Sequence, residues 1–189
     1  AKTLPNYDLR TISMGAFADG WLGGYKVTIV HGGQPFPGGN PSDLFSLNEP
    51  KLLHFKGGQW VEVSPPQAAE QPTGYPEYGQ IASIRMVSAT QGWLFAFFET
   101  QNIAPNDSTY LAPSIFQLEN GHWTQIPAPL IHGQRYATMG QVSVISSTEL
   151  WGIGECISPT GTPYGTGYLA DVTPLIVHYK DGVWKVVES

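Results

Sequence analysis

An all-β fold, an array of three consecutive four-stranded antiparallel units, is predicted by two motifs that the chain states three times each. One is a strand of alternating large residues, a tight turn, and a tryptophan opening a second strand. It reads KLLHFKGGQWVEV at Lys51–Val63, SIFQLENGHWTQI at Ser114–Ile126 and LIVHYKDGVWKVV at Leu175–Val187. The other is a strand and turn ending at tryptophan: TISMGAFADGW at Thr11–Trp21, SIRMVSATQGW at Ser83–Trp93 and QVSVISSTELW at Gln141–Trp151. Trp60, Trp123 and Trp184 are thereby equivalent, as are Trp21, Trp93 and Trp151, and self-similarity at a near-constant period marks a repeat architecture. No segment shows sustained 3.6-residue amphipathicity, so helices are expected to be rare.

Residues 1–10 have no clear period and read as a lead-in. Repeat one runs from Thr11 to about Ser64. Ile12 with Met14, Ile84 with Met86, and Val142 with Val144 are spaced by two, which places each pair on one face of a strand. Asp19-Gly20 and Gly57-Gly58 carry hairpin-turn chemistry. Between them Lys26–Pro50 contains HGGQPFPGGNPSD, whose prolines and glycines argue for a surface loop. The Pro-rich link 64–80 reads as an extended loop rather than a flexible tether. Repeat two covers 81–127 with the inner loop FETQNIAPNDSTYLAP. Repeat three covers 141–188 with the inner loop ECISPTGTPYGTGYLADVTP. The units are therefore placed at 11–64, 81–127 and 141–188 of a single domain, 1–189.

The third strand of each unit says how the units stack. Leu53 and Phe55 alternate with Leu52 and His54, Phe116 and Leu118 with Ile115 and Gln117, and Val177 and Tyr179 with Ile176 and His178. Both faces are apolar, so each sheet needs cover on both sides. Radially packed four-stranded sheets meet that need, which is the blade packing of a β-propeller. The units KGGQW, ENGHW and KDGVW, with the preceding DGW, QGW and ELW hairpins, resemble repeats of the sialidase-type (Asp-box) β-propellers over roughly residues 11–188. The chain never shows that family's Ser and Asp ahead of the Gly and Trp, so the resemblance implies blades and not sialidase activity. Closed propellers have four to eight blades. Three leave two apolar outer faces, so the expectation is either a homodimer completing six blades or a segment of a longer propeller.

Composition narrows the function classes. A net charge of -6, from 15 acids against 9 bases with no run of either sign, excludes a phosphate-tracking surface and argues against nucleic acid. With one cysteine, Cys156, no disulfide within the chain and no thiolate metal cluster can form, and the histidines show no metal-ligand spacing. Cys156 follows an acid and no base, so it reads as a small buried hydrophobe. There is no apolar run of membrane-spanning length, no Gly-rich phosphate loop and no G-x-S-x-G elbow. No cofactor or metal is expected.

The repeated tryptophans read as packing residues. His54 and His178 share one repeat position, where a hydrogen-bonded structural role is the plainer reading. Aromatics outside the repeat pattern sit in the linkers and inner loops, which all fall on one face of the blades, and elaborated loops on a rigid scaffold commonly carry binding. Tyr75, Tyr78, Tyr110, Tyr136, Tyr164 and Tyr168, with Asp107 and Asp171 as polar partners, form the expected ligand-binding set. Filling of the loops' own small cores is the alternative role for the tyrosines. The expected function is a non-enzymatic module that binds carbohydrate or protein in an extracytoplasmic setting. The alternatives are a glycosidase-like hydrolase pairing Glu99 or Glu155 with Asp107 or Asp171, and a structural segment of a larger propeller.

Overall fold

The structure, a computed structural model, describes residues 6–31, 44–67, 79–100, 110–127, 129, 136–164 and 167–187. Twelve strands follow one another: β1 (Tyr7–Ala16), β2 (Asp19–His31), β3 (Leu44–Lys56), β4 (Gln59–Val63), β5 (Gly79–Met86), β6 (Gln91–Thr100), β7 (Tyr110–Glu119), β8 (His122–Ile126), β9 (Tyr136–Ser146), β10 (Glu149–Tyr164), β11 (Gly167–Lys180) and β12 (Val183–Val186). They pair in chain order into three four-stranded antiparallel sheets, β1–β4, β5–β8 and β9–β12, and no helix occurs among the described residues. The chain divides into two compact units, Ala1–Gln125 and Ile126–Ser189, which hold the first two sheets and the third sheet respectively.

The turns between the third and fourth strands are built as their chemistry requires. Gly57-Gly58, Asn120-Gly121 and Asp181-Gly182 all have positive φ at both residues, the left-handed pair of a type I′ hairpin. The Asp19-Gly20 turn does not form. Ala16 pairs with Asp19, so Phe17-Ala18 is the turn and Asp19 opens β2. An irregularity recurs that the residue pattern did not announce. The register shifts between Leu9 and Thr11 in β1, between Ile81 and Ser83 in β5, and between Gln141 and Met139 in β9, which are equivalent positions of the repeat.

The inner loops are also shorter than expected. β2 and β3 pair out to His31 and Leu44, β6 and β7 to Thr100 and Tyr110, and β10 and β11 to Tyr164 and Gly167. The prolines argue against a central strand, yet Pro50 lies beyond Leu52, the last β3 residue paired with β4, and Pro174 lies beyond the β11 residues paired with β12. A strand with one neighbour tolerates the missing N–H. Strands two and three of each sheet therefore continue past strand four as two-stranded arms.

Sheets one and two pack face to face. Trp21 and Leu52 of the first sheet form one core with Ile81, Ile84, Leu94, Ala96, Phe116 and Leu118 of the second, and Trp123 meets the Trp21 ring edge-on at 5.4 Å. At Gly23 the second sheet leaves no room for a side chain, because a Cβ there would stand 2.5 Å from Ile81 Cγ2. The first strands of the two sheets also join through polar groups. The Ile84 N–H donates to Thr11 Oγ1 at 3.0 Å and the Met86 N–H to Ser13 Oγ at 2.9 Å. These amides face outward from a sheet edge and would otherwise be buried without acceptors. The alignment of 11 with 84 and 13 with 86 shows β1 and β5 running parallel, so the arms of sheets one and two leave from the same side.

Thr11→Val keeps the shape and removes the acceptor, and should destabilise the first unit by about 1–3 kcal/mol in urea titration. Gly15→Ala should cost a similar ~1–3 kcal/mol, because its Cβ would stand 2.2 Å from the Ser88 carbonyl oxygen, a backbone atom that cannot swing away.

Candidate functional site

The arms carry four of the eight expected binding residues, and their backbone positions are defined. Tyr110 opens β7 opposite Thr100. Tyr136 opens β9 opposite Ile157. Tyr164 closes β10 opposite Gly167, Tyr168 lies opposite Pro163, and Asp171 opposite Ser158. Tyr164, Tyr168 and Asp171 thus share one arm, with Tyr136 on the strand beside its base. Tyr75, Tyr78 and Asp107 lie outside the described residues. The two acids of the hydrolase alternative, Glu99 and Glu155, do not occupy equivalent positions, because they follow their repeat tryptophans, Trp93 and Trp151, at different distances along the second strand. The side chain of Cys156 also lies outside what is described, and its backbone runs in β10 opposite Thr173.

At the strand-two turn the repeat builds an acid–tryptophan–histidine unit. In sheet one, Asp19 Oδ1 lies 3.0 Å from His54 Nε2, and the His54 ring stacks on Trp21 with centroids 4.0 Å apart and 3° between planes. In sheet three, Glu149 Oε1 lies 2.9 Å from His178 Nε2, and His178 stacks on Trp151 at 4.2 Å and 14°. The reason is register: Trp21 pairs directly with His54 and Trp151 with His178, while the acid two residues upstream reaches across the same face. Sheet two has Gln91, Trp93 and Gln117 at these positions, so the acid and the histidine change together. Lys180 adds a second contact to Glu149 at 3.1 Å. Hydrogen bonds from His178 and then Lys180 hold the Glu149 carboxyl below the usual glutamate value. The tight stacking and pairing make this a fastening of the second and third strands.

Two polar clusters lie at the arm end of sheet one, and neither was read from the chain. The Tyr25 hydroxyl donates to Asp8 Oδ2 at 2.7 Å, Arg10 Nη2 donates to the same oxygen at 2.6 Å and to the Tyr25 hydroxyl at 2.8 Å, and the guanidinium stands 5.4 Å from the Tyr25 ring centre. Tyr25 and then Arg10 lower the Asp8 pKa. Beside it, Lys51 binds Glu49 and, at 3.0 Å, Glu62, which accepts a 2.8 Å bond from the Tyr7 hydroxyl. Lys51 and then Tyr7 lower Glu62, and the Glu62 carboxylate raises Tyr7 by holding its proton. Arg10 is the one arginine of these clusters, which is too few for an arginine-lined carboxylate site.

A hollow of about 540 Å³ opens on the Trp151 face of sheet three, lined by Gln141, Ile153, Gly154, Glu155, Pro174, Leu175 and Ile176. It is largely apolar, and Glu155 is its single carboxylate. Among the described residues no group of three or more His, Cys, Asp or Glu side chains is placed to hold a metal ion, and no helix is long and apolar enough to cross a membrane. No family model matches the chain, and no curated protein does.

The signal that could have found the fastening unit is internal covariation, since the acid and histidine are both present in repeats one and three and both absent in repeat two. The polar clusters had no such signal, because Asp8, Arg10 and Lys51 are not repeated. The carboxyls of Asp8, Glu62 and Glu149 are held below their ordinary values by these hydrogen bonds and neighbouring cations. The native state then binds fewer protons than the unfolded chain near and below those values, so stability present at neutral pH is lost as pH falls through them. Melting temperature should therefore drop as pH falls below about 4.5, and Glu149→Gln should lessen the drop. An unchanged acid drop in Glu149→Gln would remove His178 and Lys180 as its cause.

Proposed function

We propose that the chain is a non-catalytic binding module of β-propeller type, its three sheets serving as blades, which engages a carbohydrate or protein ligand at the ends of the two-stranded arms. The observation that carries this reading is the one-sided elaboration of the sheets. Strands two and three of each sheet run on as an arm, while the opposite ends close in tight turns. Binding groups held on paired strands lose less conformational freedom than groups on free loops. Tyr110, Tyr136, Tyr164 and Tyr168 are the aromatic candidates for this surface, and Asp171, Tyr75, Tyr78 and Asp107 are the remaining candidates. An extracytoplasmic setting suits the low charge content and the Gly-, Thr- and Tyr-rich arms.

The hydrolase reading is less well supported. Glu155 is exposed and faces an apolar hollow with no second carboxylate in its lining, whereas glycoside cleavage needs two acids at about 5–9.5 Å. A glycan array and a chromogenic-glycoside panel separate the two. Binding without turnover, weakened roughly tenfold or more by Tyr164→Ala and by Tyr168→Ala, is expected. Turnover that Glu155→Gln abolishes would replace this reading with the hydrolase.

A further inference from the structure

The joint between sheets one and two has two sides, and each side recurs, uncovered, elsewhere in the chain. On one side, Trp21 is 6% exposed and Leu52 fully buried; their equivalents in sheet three are Trp151, which is 38% exposed, and Ile176, with Ile153, 50% exposed, at the position of Gly23. On the other side, Ile81 and Ile84 are fully buried, and Met86 and Trp123 pack against the same core. Their equivalents in sheet one, Leu9, Ile12, Met14 and Trp60, are 41%, 59%, 45% and 38% exposed. Apolar surface of this extent and repeated pattern marks an interaction face.

We infer that the Trp151 face of one copy docks the Leu9–Ile12–Met14–Trp60 face of a second copy, repeating between chains the joint that already exists between sheets one and two. The polar part of the joint repeats as well. Gln141 and Ser143 stand at the positions of Thr11 and Ser13, which accept the Ile84 and Met86 N–H groups. They would accept the Ile12 and Met14 N–H groups of the second copy, the outward amides of another first strand. Trp60 would meet Trp151 edge-on as Trp123 meets Trp21 at 5.4 Å and 78°.

One difference has a built answer. Ile153 fills the space that Gly23 leaves for Ile81, and the 540 Å³ hollow beside it, bounded by Gln141, Pro174 and Ile176, takes the second copy's Leu9 instead. The joint is heterologous, so two copies use it twice, and a two-copy ring holds six sheets, within the four-to-eight range of closed propellers. Only this closure rests on the propeller reading.

The test is mass in solution together with directed cross-linking. Light scattering on the purified chain should give twice the 20.6 kDa chain mass at micromolar concentration. Trp151→Glu and Ile12→Asp should each raise the dissociation constant by about 30-fold or more, with far-ultraviolet circular dichroism unchanged. In a Cys156→Ser background, mixing Leu9→Cys chains with Ile153→Cys chains should give a disulfide between the two variants, the equivalent Cβ of Ile81 lying 3.1 Å from the Gly23 Cβ position. Neither variant alone should give that product. A monomer at tens of micromolar, a dimer that does not cross-link through this pair, or an open polymer growing with concentration would each overturn the inference. Glycan binding is read separately, so its absence leaves these readouts intact.

Discussion

A sheet that is apolar on both faces cannot stand alone in water, and every larger feature of this chain answers that constraint. Leu52 and Leu53 are consecutive in β3, point to opposite faces, and are both buried. Leu52 reaches the core shared with sheet two, where Ile84, Leu94 and Phe116 complete it. Burying three or four such side chains stabilises by several kcal/mol, at roughly 1.5–3 kcal/mol each. Docking also hides the outward amides of a sheet edge, and Thr11 and Ser13 supply the acceptors that keep this burial favourable. The joint is therefore apolar at its centre and polar along the first strands.

The acid–tryptophan–histidine unit serves the same end. Trp21 must present a flat, fixed ring to Trp123, and His54 stacked on its other side, itself held by Asp19, fixes that ring. Sheet two has Gln117 in place of the histidine, and Trp93 is fully buried without it. The unit is thus one way of orienting the tryptophan and is not needed in every repeat.

Strand number, sheet order and the apolar faces were legible because they are written three times, and repetition separates structural positions from accidental ones. The Gly57-Gly58, Asn120-Gly121 and Asp181-Gly182 turns were legible because positive φ restricts residue choice. Asp19-Gly20 misled because Asp19 is recruited as the partner of His54, a contact between residues far apart in the chain. The extent of the arms was hidden by Pro50, Pro113 and Pro174, which forbid a central strand but not a strand with one free edge. Of the binding set, Tyr164, Tyr168 and Asp171 do share one arm. The Asp8–Arg10–Tyr25 cluster depends on the shift of register at Arg10, which nothing in the residue pattern announces.

The rigid joint and the arms together describe a scaffold that holds variable ends on fixed stems, and the joint is the part on which the rest stands. Amide hydrogen exchange of Ile84 and Met86 probes it most directly. In a sheet without a neighbour these edge amides face solvent and exchange near the rate of an unfolded chain. With Thr11 and Ser13 as acceptors, they should be protected to the same order as the central β6 amides of Leu94 and Phe95. Rapid exchange at Ile84 and Met86 while β6 stays protected would contradict the docked arrangement.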